Sequence, residues 1–306
     1  MSPDYSQSGT DEVEFPLPYM GADPTCEIVP ISTNFDDDPE MMIVAFLYAE
    51  LINADVILLP RDIPDPQRTE PELNQETVDG IPLGEAVTQV HVTERQKLLW
   101  EELAQLIVNI SQKRPIVCAA GNSQEEAAIY PANLASDHNG IISVGAVNAK
   151  GHRSGFSGLK NLTVMAPGND SELFDRHEVR LDEQDFEYTE TGVPPVNENE
   201  KYSHFDIIST DVPGKFGYSF SPFDADEPED GLREFGSYFC RFGGTSAASA
   251  LVAGFISLGV STGAVASQAG GVMTKSWLLS KCEQLSDGDQ AFAFPVWSGS
   301  ASFPDS

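Results

Sequence analysis

The chain has 306 residues, enough for one large α/β domain with a sizeable core, and an apolar fraction of 41% excludes wholesale disorder. Forty-eight acids against 17 bases leave a net charge of -31, which repels nucleic acid and anionic membranes and favours cationic partners, or serves only as a solvated coat. Four scattered cysteines (Cys26, Cys118, Cys240, Cys282) without a C-x-x-C pair fit neither a zinc site nor a small disulfide scaffold.

Residues 1–40 hold ten acids, no Lys or Arg, and six prolines, and read as an acidic, irregular lead-in. No secretory leader is legible there, and no apolar run reads as long enough to span a bilayer; the compartment is unassigned. Asp38-Pro39-Glu40 supplies an N-cap, a first-turn proline and a first-turn acid for an apolar helix over 41–53. The apolar run 55–59 suits a buried parallel strand. Residues 60–92 read as an exposed acidic loop.

Thr93-Glu-Arg-Gln96 is a capping box that starts a helix running to about Gln112. Ile116–Ala120 is the next buried strand, which completes a βαβ unit. Further strands are expected at 141–147 and 162–165. Residues 170–234 carry 19 acids and five Lys or Arg, and read as a surface insertion. The small and apolar residues 243–261 predict a helix buried on all sides. A shorter helix around 275–284 and an irregular tail over 283–306 close the chain. Cys118, inside an apolar run, reads as a buried small hydrophobe.

Four segments carry chemistry. Ala119-Ala-Gly-Asn122 ends an apolar strand. Tyr130-Pro-Ala-Asn133 leads into Ile141–Val147 and then Arg153-Ser-Gly-Phe-Ser157. Met165-Ala-Pro-Gly168 follows, and Gly243-Gly-Thr-Ser-Ala-Ala-Ser249 comes last. Ser246 stands where a helix of small residues begins, and a helix start offers unpaired N–H groups and a dipole that favour negative charge. Asn122 stands just past the carboxyl end of a parallel strand, where α/β sheets place their ligands.

In order and spacing these segments resemble the C-terminal half of the subtilisin-like serine peptidases, over roughly residues 41–170 and 236–262. The resemblance implies a three-layer α/β fold, a mostly parallel central sheet with helices on both faces, incomplete at its N-terminal side. It would make 41–282 the peptidase domain. It implies Ser246 as nucleophile, with its own N–H and the Asn122 amide as oxyanion donors, and Gly121, Gly244 and Thr245 in the substrate groove. A protein or peptide substrate follows. No cofactor is expected, and calcium is suggested by the resemblance alone.

Two departures stand out. Ala250 replaces the family's proline after the serine motif, and Leu59-Pro60-Arg61 replaces a Ser-Leu-Gly segment that pairs with substrate backbone. Proline has no N–H for that pairing.

The family's Asp-Thr/Ser-Gly strand and His-Gly-Thr-His helix start have no counterpart. Asp79-Gly80-Ile81 follows no apolar strand, and none of His91, His138, His152, His177 and His204 sits in a fitting context. A serine without a base is a poor nucleophile, so the isolated chain is expected to be nearly inactive. Three readings remain open: a fragment of a longer enzyme, one half of a two-chain enzyme whose partner supplies the Asp and His, or a non-catalytic peptide-binding pseudopeptidase.

Overall fold

The computed structural model describes residues 21–33, 38–65, 77–78, 81–82, 94–122, 127–148, 151–158, 160–168, 171–175, 178–181, 207–212, 239–287 and 290–298. The helices are α1 (Pro39–Leu51), α2 (Glu94–Lys113), α3 (Gly244–Ser261) and α4 (Gly271–Ser280). The strands run from β1 (Ile57–Leu59), β2 (Thr77–Val78) and β3 (Ile81–Pro82) to β4 (Ile116–Ala119), β5 (Ile141–Val147) and β6 (Val164–Pro167). Then come β7 (Ser171–Asp175), β8 (Glu178–Leu181), β9 (Ile207–Thr210), β10 (Phe239–Phe242), β11 (Cys282–Asp287) and β12 (Gln290–Pro295).

The central sheet has the order β1-β4-β5-β6, every pair parallel. Its strands are short and apolar because both faces are covered. Ile116, Cys118 and Ile141 turn to a core shared with Met42, Phe46, Trp100, Leu103 and Ile107 of α1 and α2. Val117, Ile142, Val144 and Val164 turn to the other core, with Ala248, Val252 and Ile256 of α3. The result is a three-layer α/β arrangement.

Local signals explain the elements. The Asp38 carboxylate accepts from the Glu40 N–H at 2.9 Å, so the cap works as expected. Thr93 and the side chains of 94–96, the capping box of α2, lie outside the described residues. Gly140 and Gly271 let the amino ends of β5 and α4 meet the last turn of α2. A Cβ on either would lie 2.2 Å or less from the Ser111 carbonyl oxygen. The buried Lys275 of α4 ties the same end, donating to the carbonyls of Ser136 (3.0 Å) and Ile141 (2.7 Å).

Several expectations need correction. Helix α3 is covered on one side by the sheet and only partly on the other; Ala250 is exposed. Among the described residues its outer side meets a strap of residues 21–25 and the rings of Trp277 and Trp297 against Phe255. By length and composition, at mean hydropathy 1.4, α3 would also suit a membrane span, which the sequence reading did not anticipate. Its packing across the sheet assigns it to the core. Strand β6 begins two residues later than expected. Helix α4 spans 271–280, not 275–284, and the tail is not irregular: β11 and β12 pair as an antiparallel hairpin. Gly288-Asp289 between them was the available signal, since Gly-Asp is a two-residue hairpin turn pair. The acidic insertion contains the β7–β8 hairpin and contributes β9, which pairs with β10. The loop after β1 contains the two-residue pair β2–β3.

Candidate active site

The site is built where the carboxyl ends of β1 and β4 meet the first turn of α3. After Ala120 the chain turns sharply at Gly121, whose φ of +104° only glycine adopts readily and whose Cβ would lie 2.6 Å from Ile129 Cγ2. The turn is pinned from behind, because the Ile129 N–H donates to the Ala120 carbonyl at 2.9 Å. This sets Asn122 at the strand end. Tyr130 is buried in the core beside it.

The start of α3 is wedged against β6. Gly244, with φ of +79°, donates its N–H to the Gly168 carbonyl at 2.8 Å. Gly168 has no room for a side chain: a Cβ would lie 2.5 Å from Ala146 Cβ and 2.8 Å from the Gly244 carbonyl oxygen. The segment 153–157 braces the same strands, with the Ser154 N–H donating to the Ala146 carbonyl and Ser157 Oγ accepting from the Ala146 N–H, each at 3.0 Å. It is structural.

Thr245 links the two elements. It is fully buried, and both its N–H and its Oγ1 donate to Asn122 Oδ1 at 2.9 Å. Its Oγ1 also accepts from the Gly121 N–H at 3.0 Å. A backbone N–H can only donate, so the amide end facing Thr245 must be the oxygen. The amide's NH2 is thereby directed away from Thr245. Sequence motifs put Asn122, Gly121, Gly244 and Thr245 on one list; the role of Thr245 as the clasp between them was not foreseen.

Ser246 follows, half-buried, and its Oγ donates to the Pro60 carbonyl at 2.9 Å. Pro60 directly follows β1, so the Leu59-Pro60-Arg61 segment touches the serine directly. A helix start leaves its first N–H groups without intrahelical acceptors. Those of Gly244 and Thr245 are taken by Gly168 and Asn122, whereas no described residue accepts from the Ser246 N–H.

His138 lies in the turn before β5, at the opposite, amino end of the sheet, where its carbonyl accepts from Gln112. The His152 N–H donates to Asn148 Oδ1 in the turn after β5. His91, His177, His204 and Asp79 lie outside the described residues. Among the described residues no cluster of three His, Cys, Asp or Glu could hold a metal ion. None of the four cysteines is disulfide-bonded, and burial pushes the Cys118 thiol up to about 12, so it is an inert core group.

A profile of the subtilase family matches residues 83–293, a span that holds Asn122, Thr245 and Ser246. The chain belongs to the subtilase family. No curated protein matches it. Among solved structures, this subtilase is similar to a cold-adapted subtilisin-like serine proteinase at 13% identity, over 84% of this chain and 60% of that one, with a TM-score of 0.44. It is similar to the prenylagaramide maturation protease PagA at 15% identity, over 86% and 64%, with a TM-score of 0.43. A lanthipeptide protease matches at 15% identity, over 82% and 60%, with a TM-score of 0.47. The chain thus spans about three-fifths of the length of these structures.

Proposed function

We propose that this chain carries the nucleophile-bearing part of a serine endopeptidase, with Ser246 as nucleophile and the Asn122 amide and Ser246 N–H as oxyanion donors. The observation that supports this best is the clasp of Thr245 on Asn122 Oδ1, which holds a side-chain donor next to the first turn of α3, one residue from Ser246. In the reaction, Ser246 Oγ bonds to the peptide carbonyl carbon while its proton passes to a base. The carbonyl oxygen becomes an oxyanion held by the two donors. Collapse breaks the C–N bond, the amine leaves with that proton, and water then hydrolyses the acyl-enzyme. Gly121, Gly244 and Thr245 shape the floor of the groove that holds the peptide.

The base must come from an Asp/His element outside the described residues. A carbonyl cannot take up a proton at neutral pH, so the Ser246–Pro60 hydrogen bond is not an activating one. That same bond favours a second reading, a pseudopeptidase that binds peptides without cleaving them. Proline at the strand end removes one backbone donor for substrate, which also points that way.

Fluorophosphonate labelling of Ser246 distinguishes the readings. The isolated chain should label weakly or not at all, and labelling should return when an Asp- and His-bearing segment is co-expressed. Strong labelling of the isolated chain would contradict the missing base. No labelling in any complemented form would favour the pseudopeptidase. The nucleotide sequence upstream of Met1 is a parallel check: an in-frame stretch encoding Asp-x-Gly and His-Gly-Thr-His would favour the enzyme.

A further inference from the structure

Three stretches of the chain have the form Asn-x-Ser/Thr with x other than proline: Asn109-Ile110-Ser111, Asn161-Leu162-Thr163 and Asn169-Asp170-Ser171. This spacing lets an asparagine amide accept an N-linked glycan, because the transferring enzyme also grips the hydroxyl two residues on. A pattern this short arises easily by chance, so the surroundings in the fold must discriminate. Asn169 lies outside the described residues. The other two asparagines stand in opposite settings.

Asn109-Ile110-Ser111 belongs to α2. Asn109 Oδ1 accepts from Gln105 Nε2, one helical turn earlier, at 3.1 Å. Ser111 is fully buried, and its Oγ donates to the Val108 carbonyl at 2.7 Å. Asn161, by contrast, stands in the bend before β6. It is exposed, and its side chain makes no hydrogen bond among the described residues. Its φ of +59° lies in the left-handed region, which asparagine tolerates better than most residues with a side chain. Leu162 packs inward against the core under α1 and α2, and Thr163 Oγ1 accepts from the Ser143 N–H at 3.1 Å. A cleft of about 340 Å³ opens beside Asn161, between residues 161–164 and 290–293. It leaves room for a bulky substituent on the amide.

We propose that Asn161 is a modification site that carries an N-linked glycan. Asn161 Nδ2 bonds to the anomeric carbon of an oligosaccharide held on a polyprenyl diphosphate. The bond from that carbon to the diphosphate oxygen breaks, the lipid diphosphate leaves, and one amide proton passes to a base of the transferase. The transfer precedes the pairing of β6, because afterwards the Thr163 hydroxyl is engaged with β5. Order of folding separates the two candidates. Helix α2 needs only local contacts and forms early, whereas Thr163 reaches Ser143 across 20 positions in a parallel sheet and does so late. Asn161 and its hydroxyl partner therefore stay open to the transferase for longer than Asn109 and Ser111. The glycan points into solvent and leaves both cores untouched. This inference is independent of the role of Ser246.

The test is glycopeptide sequencing by electron-transfer fragmentation on the full chain, purified from the cells that make it. The expected result is added hexose or hexosamine mass on the peptide that contains Asn161, and none on the peptide that contains Asn109. N161D keeps a short polar side chain that accepts the left-handed backbone. Made in the same cells, it should fold as the parent does by circular dichroism and lose the sugar. T163S keeps the hydroxyl and should keep the sugar. A chain whose Asn161 peptide is found only unmodified would overturn the proposal and leave Asn161 as a turn residue. Sugar on Asn109 alone, or sugar that persists undiminished in N161D, would overturn it as well.

Discussion

Thr245 and Asn122 meet through one oxygen: Asn122 Oδ1 accepts both the backbone N–H and the hydroxyl of Thr245, each at 2.9 Å. The hydroxyl in turn accepts the Gly121 N–H, so one buried side chain serves two groups of a distant segment. Thr245→Val keeps the shape and the N–H but strips the Gly121 donor of its acceptor. A buried unsatisfied group costs about 1–3 kcal/mol, and the loss should appear as a lower urea midpoint with an unchanged slope. A Thr245→Val protein as stable as the parent would show that the clasp is incidental.

Asn122 should matter to reactivity as well as to folding, because without its Oδ1 the buried Thr245 N–H has lost its acceptor. Asn122→Ala removes a donor to the developing oxyanion, and the expected fall in reaction rate is about 10²–10³-fold, a magnitude carried over from subtilisin. Fluorophosphonate kinetics on the base-complemented protein measure it. A fall below threefold would remove Asn122 from the oxyanion site.

Gly168 is the wedge under the start of α3. In Gly168→Ala the new methyl group meets Ala146 Cβ and the Gly244 carbonyl oxygen at distances that force backbone to move. Overpacking of this kind costs roughly 1–3 kcal/mol. The Gly168 carbonyl anchors the Gly244 N–H, so Ser246 should also be displaced. Thermal melting and Ser246 labelling should both fall; a normal melt with normal labelling would show that the junction yields without consequence.

Arg114 joins α1, α2 and the loop before α4. Its side chain is 5% exposed and contacts Glu50 Oε2 and the Ala54 carbonyl at 2.7 Å, Asn53 Oδ1 at 3.0 Å, and Gln268 Oε1. The Lys113 ammonium, against the cost of burial and with help from Arg114, holds the Glu50 carboxyl below the usual range. Arg114→Ala leaves several acceptors stranded and should destabilise by about 3–5 kcal/mol. Arg114→Lys should recover only part, because an ammonium cannot reach the whole fan of acceptors. Denaturant titration of both variants decides it.

Asp23 fastens the strap of residues 21–25 to α3 by accepting from Ser257 Oγ (2.6 Å), Ser261 Oγ (2.7 Å) and Thr25. Burial by itself would raise its pKa, but these hydrogen bonds outweigh burial and hold the carboxyl below the usual range. A folded value below the unfolded one stabilises at pH above the unfolded pKa and is lost as pH falls through the folded value. Asp23→Asn should therefore cost roughly 1–3 kcal/mol at pH 7, and the gap to the parent should close as pH falls below the usual carboxylate range and through the lowered folded value. A gap independent of pH would mean that the carboxylate charge plays no part.

The sequence alone determined the family and the βαβ succession, and it singled out the residues that we propose as the site. Those features are local: an N-cap at Asp38, a strand-ending Asn122, a run of small residues after Ser246, each a consequence of nearby backbone chemistry. It misjudged the tail and the cover of α3, because pairing between 282–287 and 290–295, and what lies on a helix's outer side, depend on contacts that composition does not encode. Only the tertiary structure decided that Thr245 clasps Asn122 across 123 positions, that the Ser246 hydroxyl turns to Pro60, and that α1 keeps one apolar face outward. Each of these relations joins segments far apart in the chain, and each is fixed by how the two cores bring strand ends and helix starts to one place.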